Sequence, residues 1–98
     1  MKVNKDCIKA VLNFVIDNTG INCENEKCSI KQTDLYKLIE NLSNDFDKEV
    51  VIHSTIYASK CGYLDMKPIR ETNNIIYAKC DIADVTPIGY QFLEEQNK

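Results

Sequence analysis

The chain has 98 residues, with 12 Lys and Arg against 15 Asp and Glu, a net charge of −3 and a hydrophobic share of 44%. That suffices for a single domain, 1–98, whose core depends on neither metals nor disulfides. No apolar run approaches the ~20 residues that cross a bilayer; the polar opening Lys2, Asn4, Lys5, Asp6 offers no secretory core, so the expectation is a cytoplasmic protein with reduced thiols and no membrane partner.

In chain order, Asn4 to Asn18 places Ile8, Val11, Leu12, Val15 and Ile16 at i, i+3, i+4, i+7 and i+8, the stripe of an amphipathic helix, with Asn4 as its cap and Gly20 past its end. Ile21 to Cys28 reads as polar and irregular, and Ser29 to Lys31 as a short strand that joins a later hairpin as its third member. Thr33 is positioned to cap a second helix, in which Leu35, Leu38, Ile39 and Leu42 repeat the helical spacing. Ser43 to Phe46 then turns the chain into a third helix.

Asp47 and Gly62 punctuate that third helix as N-cap and C′ residue. At 3.6 residues per turn, Val51, Ile52, Thr55, Ala58 and Ser59 share an inward face, and Glu49, His53, Ile56, Tyr57 and Lys60 the outward one. After Gly62 the period changes to 2. Leu64 and Met66 alternate with polar neighbours, and Ile76, Ala78, Cys80 and Ile82 alternate with Ile75, Tyr77, Lys79 and Asp81. Pro68 to Asn74 supplies a polar hairpin tip. Thr86-Pro87 starts a last helix through Ile88, Phe92 and Leu93. The expected fold is α+β, a winged helix-turn-helix ordered helix, short strand, helix, helix, two-stranded wing, C-terminal helix.

Several stretches carry a family likeness: Met1-Lys2-Val3-Asn4-Lys5-Asp6, the Ile52-His53 pair, Cys61-Gly62-Tyr63-Leu64, and Val85-Thr86-Pro87-Ile88-Gly89-Tyr90-Gln91-Phe92-Leu93. Together they resemble a family of small bacterial and prophage proteins of unknown function, similar to the YjcQ-type proteins. The resemblance implies a winged helix over nearly the whole chain and brings no catalytic residues with it. This chain has Tyr90 where family members often have His, and Thr55 and Ala58 where theirs is a Leu-rich third helix.

Two functional classes follow from the pattern. A winged helix usually offers its third helix to the major groove and its wing to phosphates, which nominates His53, Tyr57 and Lys60 on the helix, and Lys67, Arg70 and Lys79 on the hairpin, for double-stranded DNA. Against this, residues 51–82 balance at only +1, and Asp45, Asp47 and Glu49 crowd the start of the third helix. The alternative is a protein partner or a homodimer seam at Val50, Ile56, Tyr57, Ile75 and Tyr77. Among the cysteines, Cys23 and Cys28 are expected as loop thiols and Cys7, Cys61 and Cys80 as small buried residues; the spacing is wide for structural zinc, so no metal or other cofactor is expected. His53 has no local Cys, Ser or carboxylate poised around it and no phosphate-cradling glycine loop exists, so the expectation is a protein without enzymatic activity.

Overall fold

The computed structural model describes residues 2–67, 70–76 and 79–96. Its elements are α1 (Lys5–Asn18), β1 (Gly20–Glu24), β2 (Lys27–Lys31), β3 (Thr33–Asp34), α2 (Leu35–Leu42), α3 (Lys48–Lys60), β4 (Leu64–Met66), β5 (Arg70–Glu71), β6 (Asn74–Ile75), β7 (Asp81–Val85) and α4 (Pro87–Gln96). The architecture is α+β, with a three-stranded antiparallel main sheet and two short hairpins.

Helix α1 forms as its pattern requires. Asn4 Oδ1 accepts from the Cys7 N–H at 2.9 Å, and the far end is closed by Asn18 and Thr19 side chains donating to the Phe14 and Val15 carbonyls at 2.8 and 2.6 Å. Its stripe of Cys7, Ile8, Val11, Leu12 and Val15 is at most 1% exposed. The stripe is the centre of the core: α1 touches α2, α3, α4 and β7.

The first departure from the sequence reading lies between α1 and α2. The stretch expected to be irregular is a hairpin, with β1 and β2 antiparallel and Ile21 opposite Ile30, Cys23 opposite Cys28. Asn25 turns the chain at φ 56°, a left-handed conformation that asparagine tolerates better than most residues. Cys23 and Cys28 are joined in a disulfide, which corrects the expectation of two loop thiols; Cys7, Cys61 and Cys80 stay outside it. Ser29–Lys31 is thus a strand, but it pairs with β1. The third member of the main sheet is β3, where Thr33 pairs with Ile82 and Asp34 with Asp81. Thr33, expected to cap α2, is instead buried in the sheet, and the cap is Asp34, whose carboxylate accepts from the Lys37 N–H at 2.8 Å.

Helix α3 buries Val51, Ser54, Thr55 and Ala58. The inward face is therefore turned slightly from the expected one, with Ser54 in and Ile52 and Ser59 half-buried. Small residues there let α1 and α2 approach closely. Thr55 returns its hydroxyl to the Val51 carbonyl at 2.8 Å, so its burial leaves no unmet donor. The Ser54 hydroxyl is buried without a hydrogen bond of ordinary geometry, although the Cys7 thiol lies beside it. Asp47 occupies the N-cap, but its carboxylate makes no capping bond.

The helix ends as Gly62 predicts. At φ +80° the glycine holds a left-handed conformation, Gly62 N–H donates to Ser59 O at 3.1 Å, and Tyr63 N–H donates to Ala58 O at 2.8 Å, the paired bonds of a Schellman motif. The chain passes directly into β4, which pairs with β7. Sheet order is β3-β7-β4, with Leu64, Met66, Ile82 and Val85 buried on the core side. The expected second wing strand is broken. Pairing of β5 with β6 stops at Ile75, and before β7 begins the Ile76 carbonyl accepts from the Lys79 N–H at 3.1 Å and from the Cys80 thiol at 3.2 Å. Ala78 of the expected alternation lies outside the described residues.

Thr86 binds the end of β7 to the exit of α3. Its N–H donates to Tyr63 O at 2.9 Å, its hydroxyl donates to Gly62 O, and the Thr86 Oγ1 in turn accepts the Gly89 N–H at 3.2 Å as the N-cap of α4. Gly89 is pressed so close that a Cβ there would lie 2.5 Å from Tyr63 O and 2.6 Å from Val85 Cγ1. Thr86→Val, which keeps the shape and loses both hydroxyl bonds, should cost about 1–2 kcal/mol. Gly89→Ala should cost about 1–3 kcal/mol by overpacking, and thermal melting should fall by ~4–8 °C per kcal/mol in a domain of this size. A Gly89→Ala protein that melts with the parent in far-UV circular dichroism would show that α4 is not docked against the Tyr63 backbone.

Candidate functional site

The outward face of α3 carries Glu49, His53, Ile56, Tyr57 and Lys60, because α1, α2 and β4 pack on its other sides. Lys60 is exposed, Tyr57 is 36% exposed and His53 is half-buried. His53 and Tyr57, one turn apart, hold their rings 6.4 Å centre to centre at a tilt of 33°. This face therefore offers one imidazole, one phenol and one ammonium to whatever approaches, with Glu49 at its acidic N-terminal end.

The basic residues expected on the wing divide into two places. Lys67 and Lys79 line one groove of about 480 Å³ on the outer side of the sheet, together with Gln32, Asp65, Met66, Asp81 and Ala83. Arg70 lies at the hairpin tip, opposite Ile75. The groove is of mixed sign, since register places Asp34 opposite Asp81 and Asp65 opposite Asp84. Like charges facing across a ladder repel. One partner of each pair is satisfied locally: Asp34 by the Lys37 N–H and Asp84 by the Val85 N–H at 2.7 Å. The remaining two, Asp65 and Asp81, line the groove beside the lysines.

A third cluster surrounds the end of α3. The Tyr57 phenol is hydrogen-bonded to Cys61, and that bond, with the electrostatic interaction between the two groups, holds it above the usual phenol range. Tyr63 is raised as well, first by burial and then by Cys61, Tyr57 and Glu95. Tyr63 stacks on Phe92 at 4.8 Å and 26°, and the two line a shallow hollow with Ile88, Gln91 and Glu95. Ile88 is 55% exposed and its Cδ1 stands 4.0 Å from where a Cβ of Gly62 would be, so α3 and α4 share this surface.

Of the residues nominated for a protein interface, Val50 and Ile75 are half-buried and pack against the core, and Ile56 is half-buried. Tyr57 alone among them stands out to solvent, and Tyr77 lies outside the described residues. The sequence reading missed Tyr63, Ile88 and Phe92 as a surface cluster, which the i, i+4 spacing of Ile88 and Phe92 could have signalled. Among the described residues no group of three or more His, Cys, Asp or Glu is arranged to hold a metal ion, and no helix is long and apolar enough to cross a membrane.

The chain matches no family model, no curated protein and no solved structure.

The Cys61 cluster makes a direct prediction. In an ultraviolet titration of the folded protein, Tyr57 and Tyr63 should ionise above the ordinary phenol value of about 10, and Cys61→Ala should return Tyr57 to it. A Tyr57 titration unchanged by that substitution would exclude the Tyr57–Cys61 hydrogen bond.

Proposed function

We propose that the chain is a winged-helix protein without enzymatic activity that docks on double-stranded DNA as a regulator, working in the cytoplasm of a bacterium or its prophage, as the family it resembles implies. The observation that carries this reading is topological. Helices α2 and α3 lie between the first two strands of a sheet ordered β3-β7-β4, and a hairpin extension separates the last two. In this arrangement α3 is the groove-reading helix and the β4–β7 extension the wing.

His53, Tyr57 and Lys60 would then face base edges, while Lys67, Arg70 and Lys79 would contact phosphates. Charge makes the footprint modest, because residues 51–82 sum to +1 and Asp65 and Asp81 share the groove with Lys67 and Lys79. Three phosphate contacts at a slope near −0.9 each imply that affinity weakens about 40-fold between 50 and 200 mM salt. A protein partner is the second reading. It is favoured by the Tyr57, Tyr63 and Ile88 surface, which is aromatic and apolar without being basic.

Fluorescence anisotropy of a mixed duplex titrated at those two salt concentrations decides between them. DNA docking predicts binding with that salt dependence, abolished and flattened by Arg70→Glu with Lys79→Glu. Absence of binding at 50 mM salt would sink it. A protein partner predicts that Tyr57→Ala weakens capture most and that the two charge reversals change it little.

A further inference from the structure

The β1–β2 hairpin stands apart from the rest of the molecule. All ten of its strand residues are exposed, none belongs to the core cluster, and its two strands form a sheet of their own. A lone two-stranded hairpin is marginal in water, because its few ladder bonds compete with hydration and no apolar face is shielded. Two features oppose fraying: a bond from the Ser29 hydroxyl to Asn22 O at 3.3 Å, and the covalent link between Cys23 and Cys28 across directly opposed positions.

Pairing and alternation put Ile21, Cys23, Cys28 and Ile30 on one face of the hairpin, and Asn22, Glu24, Lys27 and Ser29 on the other. Ile21 and Ile30 are 73% and 67% exposed. At the root they share a hollow of about 220 Å³ with Gly20, Ala83 and Asp84, and Ala83 also lines the groove that holds Lys67 and Lys79. The disulfide thus fixes an apolar face beside the sheet, where it is open to small molecules in solvent.

We propose that Cys23 and Cys28 form a reversible thiol–disulfide site whose co-reactant is a low-molecular-weight thiol, and that its oxidation state decides whether residues 20–31 are a hairpin. In reduction, a thiolate of the co-reactant attacks one protein sulfur, the Cys23–Cys28 bond breaks, and the other cysteine leaves as a thiolate that takes a proton. A second co-reactant thiol attacks the resulting mixed disulfide and releases the remaining cysteine. Two electrons and two protons pass to the protein, and the co-reactant departs as its own disulfide. Oxidation is the reverse. Because the fifteen buried hydrophobic residues among the described residues all lie outside the hairpin, the change is local: the ladder opens and the core stays. Disulfides are rare in reducing compartments, and those that occur there are usually redox-active rather than structural, which suits a pair whose opening leaves the core in place. The site stands whether or not the protein docks on DNA.

The test uses the full chain equilibrated with oxidised or reduced glutathione, cysteine alkylation mapped by mass spectrometry, and amide hydrogen exchange. Oxidised glutathione should protect Cys23 and Cys28 from alkylation together. Reduced glutathione should expose both and speed exchange within residues 21–30 at least tenfold, leaving α1 and β7 unchanged. Cys23→Ser with Cys28→Ser should show the fast hairpin exchange in both buffers, with the parent's melting temperature. The proposal is overturned if the pair stays alkylatable in oxidised glutathione, if hairpin exchange is equal in both states, or if reduction unfolds the core as well.

Discussion

The exit of α3 is the constraint on which the other elements depend. Within two residues, Gly62 ends a helix with a left-handed turn and Tyr63 begins the strand side of the molecule, and their two carbonyls both accept from Thr86. One threonine therefore fixes where β7 ends, where α4 starts and how far α3 sits from both. A backbone clasp of this kind is directional, unlike the apolar packing around α1, which tolerates small shifts as long as area stays buried. Gly89 sharpens it, because only a residue without Cβ lets α4 reach the Tyr63 carbonyl.

The surface follows from that geometry. With its inward side given to small residues, α3 lies close to the core and its opposite side is left to His53, Tyr57 and Lys60. The clasp also brings Ile88 and Phe92 of α4 next to Tyr63, so an aromatic patch adjoins the end of the same helix. The sheet contributes lysines on its outer side but sets carboxylates beside them, and the outcome is a mixed field, not a basic stripe. That juxtaposition is why a duplex-docking reading has to rest on topology more than on charge.

Stability is distributed unevenly. The α1 stripe, the β3-β7-β4 sheet and the clasp share one core, so they should open together, whereas the β1–β2 hairpin is tied to itself by its ladder and its disulfide. A local element of this sort changes state without disturbing the core, a property no residue within α1 or β7 has.

By itself the sequence determined all four helices, the Asn4, Gly62 and Thr86 signals that bound three of them, and the buried alternation of Leu64 with Met66 and Cys80 with Ile82. These are local: hydrophobic period, cap chemistry and the left-handed tolerance of glycine act within a turn or two of chain. The hairpin was also written locally, in the mirror pattern of Ile21, Cys23, Cys28 and Ile30 about the Asn25-Glu26 turn, but its polar composition masked it. Tertiary structure alone decided that Thr33–Asp34, and not Ser29–Lys31, completes the sheet, since an edge strand is chosen by the neighbour it pairs with. It also decided that Val50 and Ile75 turn to the core, and that Asp65 and Asp81 face the lysines. Those outcomes depend on register and on contacts between residues far apart in the chain, which periodicity does not encode.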